Sequence, residues 1–192
     1  MVSCILLAAG ESKRFGSPKQ LAKINKSQTI IEYIISNLLK TGIDEIIVVL
    51  GAFKEQIKPL ILKDIKVCVN ENYQKGQTSS LKIGAKNISK NSDCFMVLPV
   101  DMPLVKPETF DYLIDKFKEA KKLIVIPSYK YKKGHPPIYD IKLKDGILKM
   151  GDDEPLYSLN NKYVEQSIII PVDDSAVITN INTPQDLAKI KA

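Results

Sequence analysis

A loop rich in glycine and basic residues follows the first apolar segment of the chain. Residues 2–9 carry no charge and have the length of one buried strand, and residues 10–19 come directly after them. Glycine lets the backbone turn closely, so that N–H groups can point at an anion. Lys19 and Arg14, the only arginine among 28 basic residues, add positive charge. The pattern predicts a phosphate-binding loop; the alternative is a solvated surface loop after an edge strand.

A single carboxylate, Asp101, follows the apolar residues 94–99, which are predicted as a strand. Ligands of open α/β sheets lie at the carboxyl ends of strands. Mg²⁺ takes one or two carboxylates together with phosphate oxygens and water. Beside the loop, Asp101 is therefore a candidate Mg²⁺ ligand. The alternative is a turn cap, because an aspartate ahead of proline-rich sequence often closes a turn.

Small residues precede the predicted helix over residues 80–88. Gly76 lies in this polar stretch, and Ser79 and Ser80 follow it. Small side chains and free backbone N–H groups at a helix N-terminus can contact a nucleotide. Gly76, Ser79 and Ser80 could therefore contact a ligand, but from the residues alone helix capping is the better explanation of the two serines.

The only histidine, His135, lies in a Gly-His-Pro-Pro turn. A single histidine does not make a metal site, and no serine or cysteine partner indicates a hydrolytic triad. From the residues alone, a structural hydrogen bond in a turn is its ordinary role.

Alternating apolar and amphipathic segments must position these residues. The predicted strands are 2–9, 45–50, 65–69, 94–99 and 123–127, and the predicted helices between them are 29–40, 53–62, 80–88 and 107–121. Such alternation predicts a mostly parallel sheet with helices on both faces. After Ser128 the pattern becomes irregular, apart from a strand over 168–172 and a helix over 183–190. We predict one α/β domain over 1–192, with a nucleotide-binding half over about 1–127 and an acceptor-binding half over about 128–192.

The composition excludes several classes of protein. The net charge is +6 with a pI near 9.0, but the lysines are spread along the chain, so we expect no nucleic-acid partner. Cys4, Cys68 and Cys94 form no CxxC pair, which argues against a zinc site and against disulfides and favours a reducing compartment. No stretch approaches the length of a membrane span. We expect a cytoplasmic protein without a membrane partner.

The first loop resembles that of a known family at every fixed position. Residues 7–21 read LAAGESKRFGSPKQL, and the molybdenum-cofactor nucleotidyltransferases, the MobA/MocA-like NTP transferases, carry LAAGxSxRFGxPKxL there. The loop matches neither GxxxxGK[ST] nor GxGxxG. The DMP segment at Asp101, the GxxxSL segment from Gly76 and the GHP turn at His135 are similar to further motifs of the family, in the same order. The resemblance implies a Rossmann-like fold of the nucleotide-diphospho-sugar transferase type.

The resemblance also implies a role for each motif. The loop residues implied to contact the nucleotide are Leu7, Ala8, Ala9, Gly10, Arg14 and Lys19. Gly76, Ser79 and Ser80 would contact the base and ribose, and His135 would face the acceptor. Catalysis would depend on Lys19, Arg14 and Asp101, with Mg²⁺ on Asp101. Asn182 stands where related transferases have a second metal ligand, often an acidic one; the alternative there is a simple helix entry at Thr183.

The implied reaction is the transfer of CMP from CTP to the terminal phosphate of molybdopterin, with release of pyrophosphate. Guanylyl-transferring members of the family tend to carry LAGG in the first loop and cytidylyl-transferring members LAAG, and this chain has Ala9. A molybdenum hydroxylase is the implied recipient of the product. Two other functions stay open: transfer to another phosphorylated acceptor such as a sugar phosphate, and a non-catalytic accessory protein that holds or delivers molybdopterin.

Overall fold

The first apolar segment forms the central strand of the sheet. In the computed structural model, which describes residues 1–191, strand β1 (Val2–Ala8) lies between β2 (Glu45–Leu50) and β4 (Cys94–Pro99). Both neighbours run parallel to β1, and β3 (Lys66–Val69) extends the sheet beyond β2. Every residue of β1 is buried, as expected for a strand that is covered on both faces.

Two short strands of the sheet, β6 (Lys132–Lys133) and β7 (Ile138–Asp140), lie outside the sequence prediction. Strand β7 lies antiparallel between β4 and β5 (Ile124–Tyr129). Strand β8 (Ser167–Pro171) runs parallel to the other edge of β5, and the two residues of β6 pair with the end of β5. Three residues are too few to show the alternation of a strand, so pairing with neighbours defines β7. The sheet is therefore mixed but mostly parallel.

Helices cover the sheet. They are α1 (Ile30–Leu38), α2 (Lys54–Ile57), α3 (Gln77–Lys86), α4 (Pro107–Ala120), α5 (Lys144–Lys149), α6 (Leu156–Lys162) and α7 (Pro184–Lys191). Helix α3 begins three residues before the predicted start at Ser80, and α5 and α6 lie in the stretch after Ser128 that the sequence predicts as irregular. These two helices have six and seven residues, too few for a helical period to stand out.

Two apolar cores hold the sheet between its helices. One contains Leu6 together with Phe110 of α4, and the other contains Ile5 together with Leu81 of α3. Neighbouring side chains of β1 thus enter opposite cores, as the alternation of a strand requires. The predicted fold class, an α/β domain with helices on both faces of a mostly parallel sheet, is confirmed. No helix within residues 1–191 is long and apolar enough to cross a membrane.

Helix α3 packs so closely on the sheet that Gly84 has no room for a side chain. A Cβ at this position would lie 2.4 Å from Ile5 Cγ2 and 3.1 Å from Val49 Cγ2. We expect Gly84→Ala to lower the free energy of unfolding by about 1–3 kcal/mol, the usual cost of overpacking a core. Denaturant unfolding followed by circular dichroism measures this loss.

Gly146→Ala in α5 is the matched control, because its Cβ would meet only Leu159 Cδ1, at 3.5 Å. Alanine is favoured over glycine inside a helix by roughly 0.5–1 kcal/mol, so this variant should be as stable as the parent or more stable. If Gly84→Ala unfolds at the same denaturant concentration as the parent, the close packing of α3 is contradicted.

Candidate active site

Three segments that are far apart in the chain meet at the carboxyl ends of β1 and β4. The loop over residues 10–19 follows β1, Asp101 follows β4, and the third segment leads into α7. Val100 N donates a hydrogen bond to Leu7 O at 3.0 Å, and Ile181 N donates one to Asp101 O at 2.7 Å. The structure thus brings the predicted loop, carboxylate and amide together at the edge where open α/β sheets bind ligands.

Two cations of the loop share one acceptor in the third segment. Lys19 Nζ lies 3.4 Å from Asn182 Oδ1 and 3.1 Å from Ile181 O. Arg14 Nη2 donates to the same Asn182 oxygen at 3.1 Å. Lys19 Nζ is also 3.9 Å from Asp101 Oδ2. Burial lowers the pKa of Lys19, and the charge of Asp101 partly offsets that shift. The result is a concentration of positive charge beside one carboxylate.

Asp101 has an oxygen that no protein group satisfies. Within residues 1–191, its Oδ1 is the one buried side-chain polar atom without a hydrogen-bond partner. Such an atom is costly unless a cation or a donor approaches it. The described residues contain no group of three or more histidine, cysteine, aspartate or glutamate side chains that could hold a metal by itself. Asp101 therefore fits a Mg²⁺ that takes its remaining oxygen ligands from phosphate and water, whereas Asn182 Oδ1 accepts hydrogen bonds from Arg14 and Lys19 in this structure.

The backbone of the loop presents donors rather than acceptors. Gln20 Nε2 donates to Ala8 O at 2.9 Å and to Gly10 O at 3.1 Å. Ala52 N donates to Ala9 O, between them, at 3.1 Å. The N–H groups of the four residues from Gly10 onward have no acceptor in the described part of the chain. Free N–H groups beside two cations form a binding site for an anion.

Gln20 could not be recognised from the sequence as part of this site. It is 1% exposed, and its Oε1 accepts a hydrogen bond from Ser12 Oγ at 3.2 Å. Ser12 Oγ in turn accepts one from Lys19 N at 3.3 Å. A glutamine has no sequence signal for burial, because only the folded loop supplies its partners. Through Ser12, Gln20 therefore links the beginning of the loop to Lys19, whose ammonium group is partly buried.

The loop forms one wall of a cleft of about 350 Å³. The predicted nucleotide contacts that line this cleft are Leu7, Ala9, Gly10, Arg14, Lys19, Gly76, Ser80 and Asp101. Ala8 does not line it, because its side chain is 1% exposed and packs in the core. Tyr73 and Gln77 also line the cleft and carry no motif that marks them in the sequence.

The two predicted serines of α3 have different surroundings. Ser79 Oγ donates to Gly76 O at 2.7 Å and accepts from Asn70 Nδ2 at 2.8 Å, and Ser79 does not line the cleft. Ser80 Oγ accepts from Asn70 Nδ2 at 3.0 Å, and Ser80 does line it. Gly76 has a φ of +111°, which favours glycine, and a Cβ there would lie 3.1 Å from Asp152 O. Gly76 is thus required by the turn that begins α3.

The wall that Ala9 forms in this cleft has little room to move. Ala9 is 4% exposed, and its neighbour across the sheet edge is Gly51. A Cβ at Gly51 would lie 2.6 Å from Ala9 O, 2.9 Å from Ala9 Cβ and 2.8 Å from Tyr73 Cβ. The absence of a side chain at residue 51 therefore lets Ala9 and Tyr73 pack closely at this side of the cleft.

A second cavity, of about 440 Å³, adjoins the first. Its walls are mainly apolar and include His135 and the buried Tyr139, whose hydroxyl donates to Asn160 Oδ1 at 2.9 Å. Burial lowers the pKa of His135, and the nearby charge of Asp101 opposes this shift, so the imidazole is neutral at pH 7. The residues that line both cavities are Leu7, Gly76 and Gln77. A ligand in the second cavity would therefore lie next to one in the first.

Known proteins match this chain over nearly its whole length. A family model, the MobA-like NTP transferase domain, matches residues 4–167. A probable molybdenum cofactor guanylyltransferase from Thermococcus sibiricus is 31% identical, with 97% of this chain and 96% of that protein covered. A protein of the same name from Pyrococcus furiosus is 30% identical, with 100% of this chain and 97% of that protein covered.

Solved structures share the fold. Rv0371c from Mycobacterium tuberculosis H37Rv has a TM-score of 0.87 at 22% identity, with 98% of this chain and 96% of that chain covered. The complex of Rv0371C with manganese has a TM-score of 0.82 at 20% identity, with 98% and 97% covered. The family match spans most of the sequence, and the fold agrees with it. This chain belongs to the MobA-like NTP transferase family.

Proposed function

We propose that this protein is a nucleotidyltransferase that moves a nucleotide from an NTP to the phosphate of molybdopterin and releases pyrophosphate. The observation that carries this proposal is one cleft that combines free loop N–H groups, Lys19, Arg14 and the unpartnered oxygen of Asp101. The relatives named as molybdenum cofactor guanylyltransferases support molybdopterin as the acceptor. In this proposal, residues of about 1–127 bind the nucleotide, and residues of about 128–192 bind the acceptor.

The cleft residues can perform this reaction by positioning and electrostatics. A phosphate oxygen of the acceptor attacks the α-phosphorus of the NTP, and the bond from that phosphorus to the bridging oxygen of pyrophosphate breaks. Because the second pKa of a phosphomonoester is about 6, the attacking group is largely ionised at pH 7 and needs no strong general base. Lys19 stabilises charge on the α-phosphate, and Arg14 stabilises charge on the departing pyrophosphate.

Asp101 and Asn182 would hold one Mg²⁺. When bound, this ion supplies positive charge to the phosphate oxygens. The unpartnered Oδ1 of Asp101 supports this assignment, as does the relative whose structure was solved with manganese. Asn182 Oδ1 accepts hydrogen bonds from both Arg14 and Lys19 in the structure, so it would take the ion in exchange for one of these donors.

The second cavity is the proposed site of molybdopterin. Its walls are mainly apolar with a few polar groups, as is usual for a site that binds a flat heterocycle. His135, neutral at pH 7, can donate one hydrogen bond from its imidazole to the acceptor. Because the two cavities share a wall, the phosphate of such an acceptor would lie beside the nucleotide cleft.

We propose CTP as the nucleotide. The side chain of Ala9 narrows the space that the second ring of a purine needs, and close packing around Gly51 prevents this wall from moving back. GTP is the second candidate, because the relatives from Thermococcus sibiricus and Pyrococcus furiosus are named guanylyltransferases.

The proposal is tested by pyrophosphate release with molybdopterin and with CTP and GTP in competition. We expect CTP to be preferred by about tenfold or more, because the side chain of Ala9 narrows the space for the second ring of guanine, and polar groups of guanine left unpaired in the pocket would add to this preference. A preference for GTP would contradict the role of Ala9 and support the second candidate. Release with a sugar phosphate but not with molybdopterin would contradict the acceptor, and no release with any NTP would indicate an accessory protein.

Ala9→Gly should raise activity with GTP without producing an efficient guanylyltransferase, since only the steric part of the discrimination is removed. The measurement is the ratio of kcat/KM for GTP and CTP. Ala120→Gly, on the last turn of α4 and outside both cavities, is the matched control and should leave this ratio unchanged. An unchanged ratio in Ala9→Gly would show that residue 9 does not select the base.

Asp101→Asn should abolish pyrophosphate release while the protein stays folded, because an amide oxygen brings no charge to the ion. The binding of Mn²⁺ in the presence of CTP, followed by electron paramagnetic resonance, should be lost as well. Asp64→Asn, at an exposed turn before β3, is the control and should behave as the parent. Near-normal activity of Asp101→Asn at saturating Mg²⁺ would rule out the ion site.

Lys19→Ala should lower kcat by about 10²–10³-fold, because one preorganised charge at the transition state is lost. Arg14→Lys should raise the KM for the NTP, since a point charge replaces a planar fork. Steady-state kinetics of pyrophosphate release measure both effects. Lys23→Ala, an exposed lysine outside the cleft, is the control for loss of charge. A KM of Arg14→Lys equal to that of the parent would contradict a bidentate role for Arg14.

A further inference from the structure

The side chain of Gln20 turns back from the end of the loop to its beginning. Gln20 follows Lys19 in the chain, yet its amide lies against the carbonyl oxygens of Ala8 and Gly10. It is 1% exposed, which is uncommon for a glutamine unless its amide is fully hydrogen-bonded.

The amide of Gln20 uses each of its groups. Nε2 donates two hydrogen bonds, to Ala8 O at 2.9 Å and to Gly10 O at 3.1 Å. Oε1 accepts one from Ser12 Oγ at 3.2 Å. Ser12 Oγ also accepts from Lys19 N at 3.3 Å, so the network reaches the residue next to Gln20 itself. A buried polar network in which every member is satisfied holds its backbone in one arrangement.

This arrangement decides which backbone groups face an anion. Carbonyl oxygens repel phosphate, and those of Ala8 and Gly10 are directed at the Gln20 amide, while the oxygen of Ala9 is directed at Ala52 N. The N–H groups from Gly10 onward remain without acceptors among the described residues. A side chain can donate to both carbonyl groups from one position only if a single nitrogen carries two N–H groups. A primary amide meets this condition without adding charge.

We propose that Gln20 is a positioning residue for the triphosphate. It holds the carbonyl oxygens of Ala8 and Gly10 away from the phosphates and, through Ser12, sets the position of Lys19. The inference rests on the proposed function, because it requires that the loop bind a polyphosphate. A purely structural role for Gln20 would instead lower stability without any selective effect on polyphosphate binding.

The test is the binding of inorganic tripolyphosphate by isothermal titration calorimetry. Gln20→Met keeps a similar length and removes both donors, and we expect its dissociation constant to rise by about tenfold. In the pyrophosphate-release assay, the KM for the NTP should rise while the KM for the acceptor stays unchanged. Ser12→Ala, which keeps Gln20 but cuts its link to Lys19 N, should weaken tripolyphosphate binding by about threefold.

Ser3→Ala is the matched control, because it removes a buried polar group at the opposite end of β1. Ser3 is 0% exposed, and its hydroxyl contacts Glu45 and Ser92. The variant should lose thermal stability but bind tripolyphosphate as the parent does.

The binding measurements test both the positioning role of Gln20 and the proposed function. Weaker binding in Gln20→Met and normal binding in Ser3→Ala support the positioning role. Normal binding in a folded Gln20→Met, or equal weakening in both variants, overturns that role and leaves the proposed function standing. No binding by the parent overturns both. Should Gln20→Met fail to fold, Ser12→Ala decides: weaker binding supports the role, and unchanged binding overturns it.

Discussion

The hydrogen bond from Ile181 N to Asp101 O, 2.7 Å long, is the contact on which the site depends. It fixes the segment before α7 against the end of β4, and so brings Asn182 within reach of the loop after β1. Arg14 and Lys19 then meet one amide oxygen beside the carboxylate of Asp101. Without this contact, Asn182 would not be held beside the two cations and the carboxylate, which the pairing of β1 with β4 already brings together. With it, they surround one cleft of about 350 Å³.

Much of this site could be predicted because its signals are local. The loop with Arg14 and Lys19 is contiguous with the strand that positions it, and Asp101 follows a strand in the same way. The alternation of apolar segments then requires both strands to end at one edge of the sheet. Gln20 differs, because its three partners are gathered only when the loop folds. Nothing in the identity of a glutamine indicates whether it faces water or a pair of carbonyl oxygens.

Adjacent residues of one motif also proved to have different surroundings. Ala8 and Ala9 stand side by side in the sequence, but the alternation of an extended backbone sends one side chain into the core and leaves the other at the cleft. Ser79 and Ser80 likewise differ, since the cleft meets only one side of α3. A resemblance assigns a function to the whole motif, whereas helix and strand geometry decides which member reaches the ligand. The short β7 is a further case, because pairing with β4 and β5 defines it.

The central claim is that the loop backbone itself binds the phosphates. The most direct measurement is a titration of ¹⁵N-labelled protein with inorganic tripolyphosphate, followed by the backbone amide resonances. We expect the largest shifts at the free N–H groups from Gly10 to Lys13, and small shifts for the amides within β2 and β3, which belong to the sheet. Shifts confined to amides outside this loop, or none at saturating tripolyphosphate, would contradict the account.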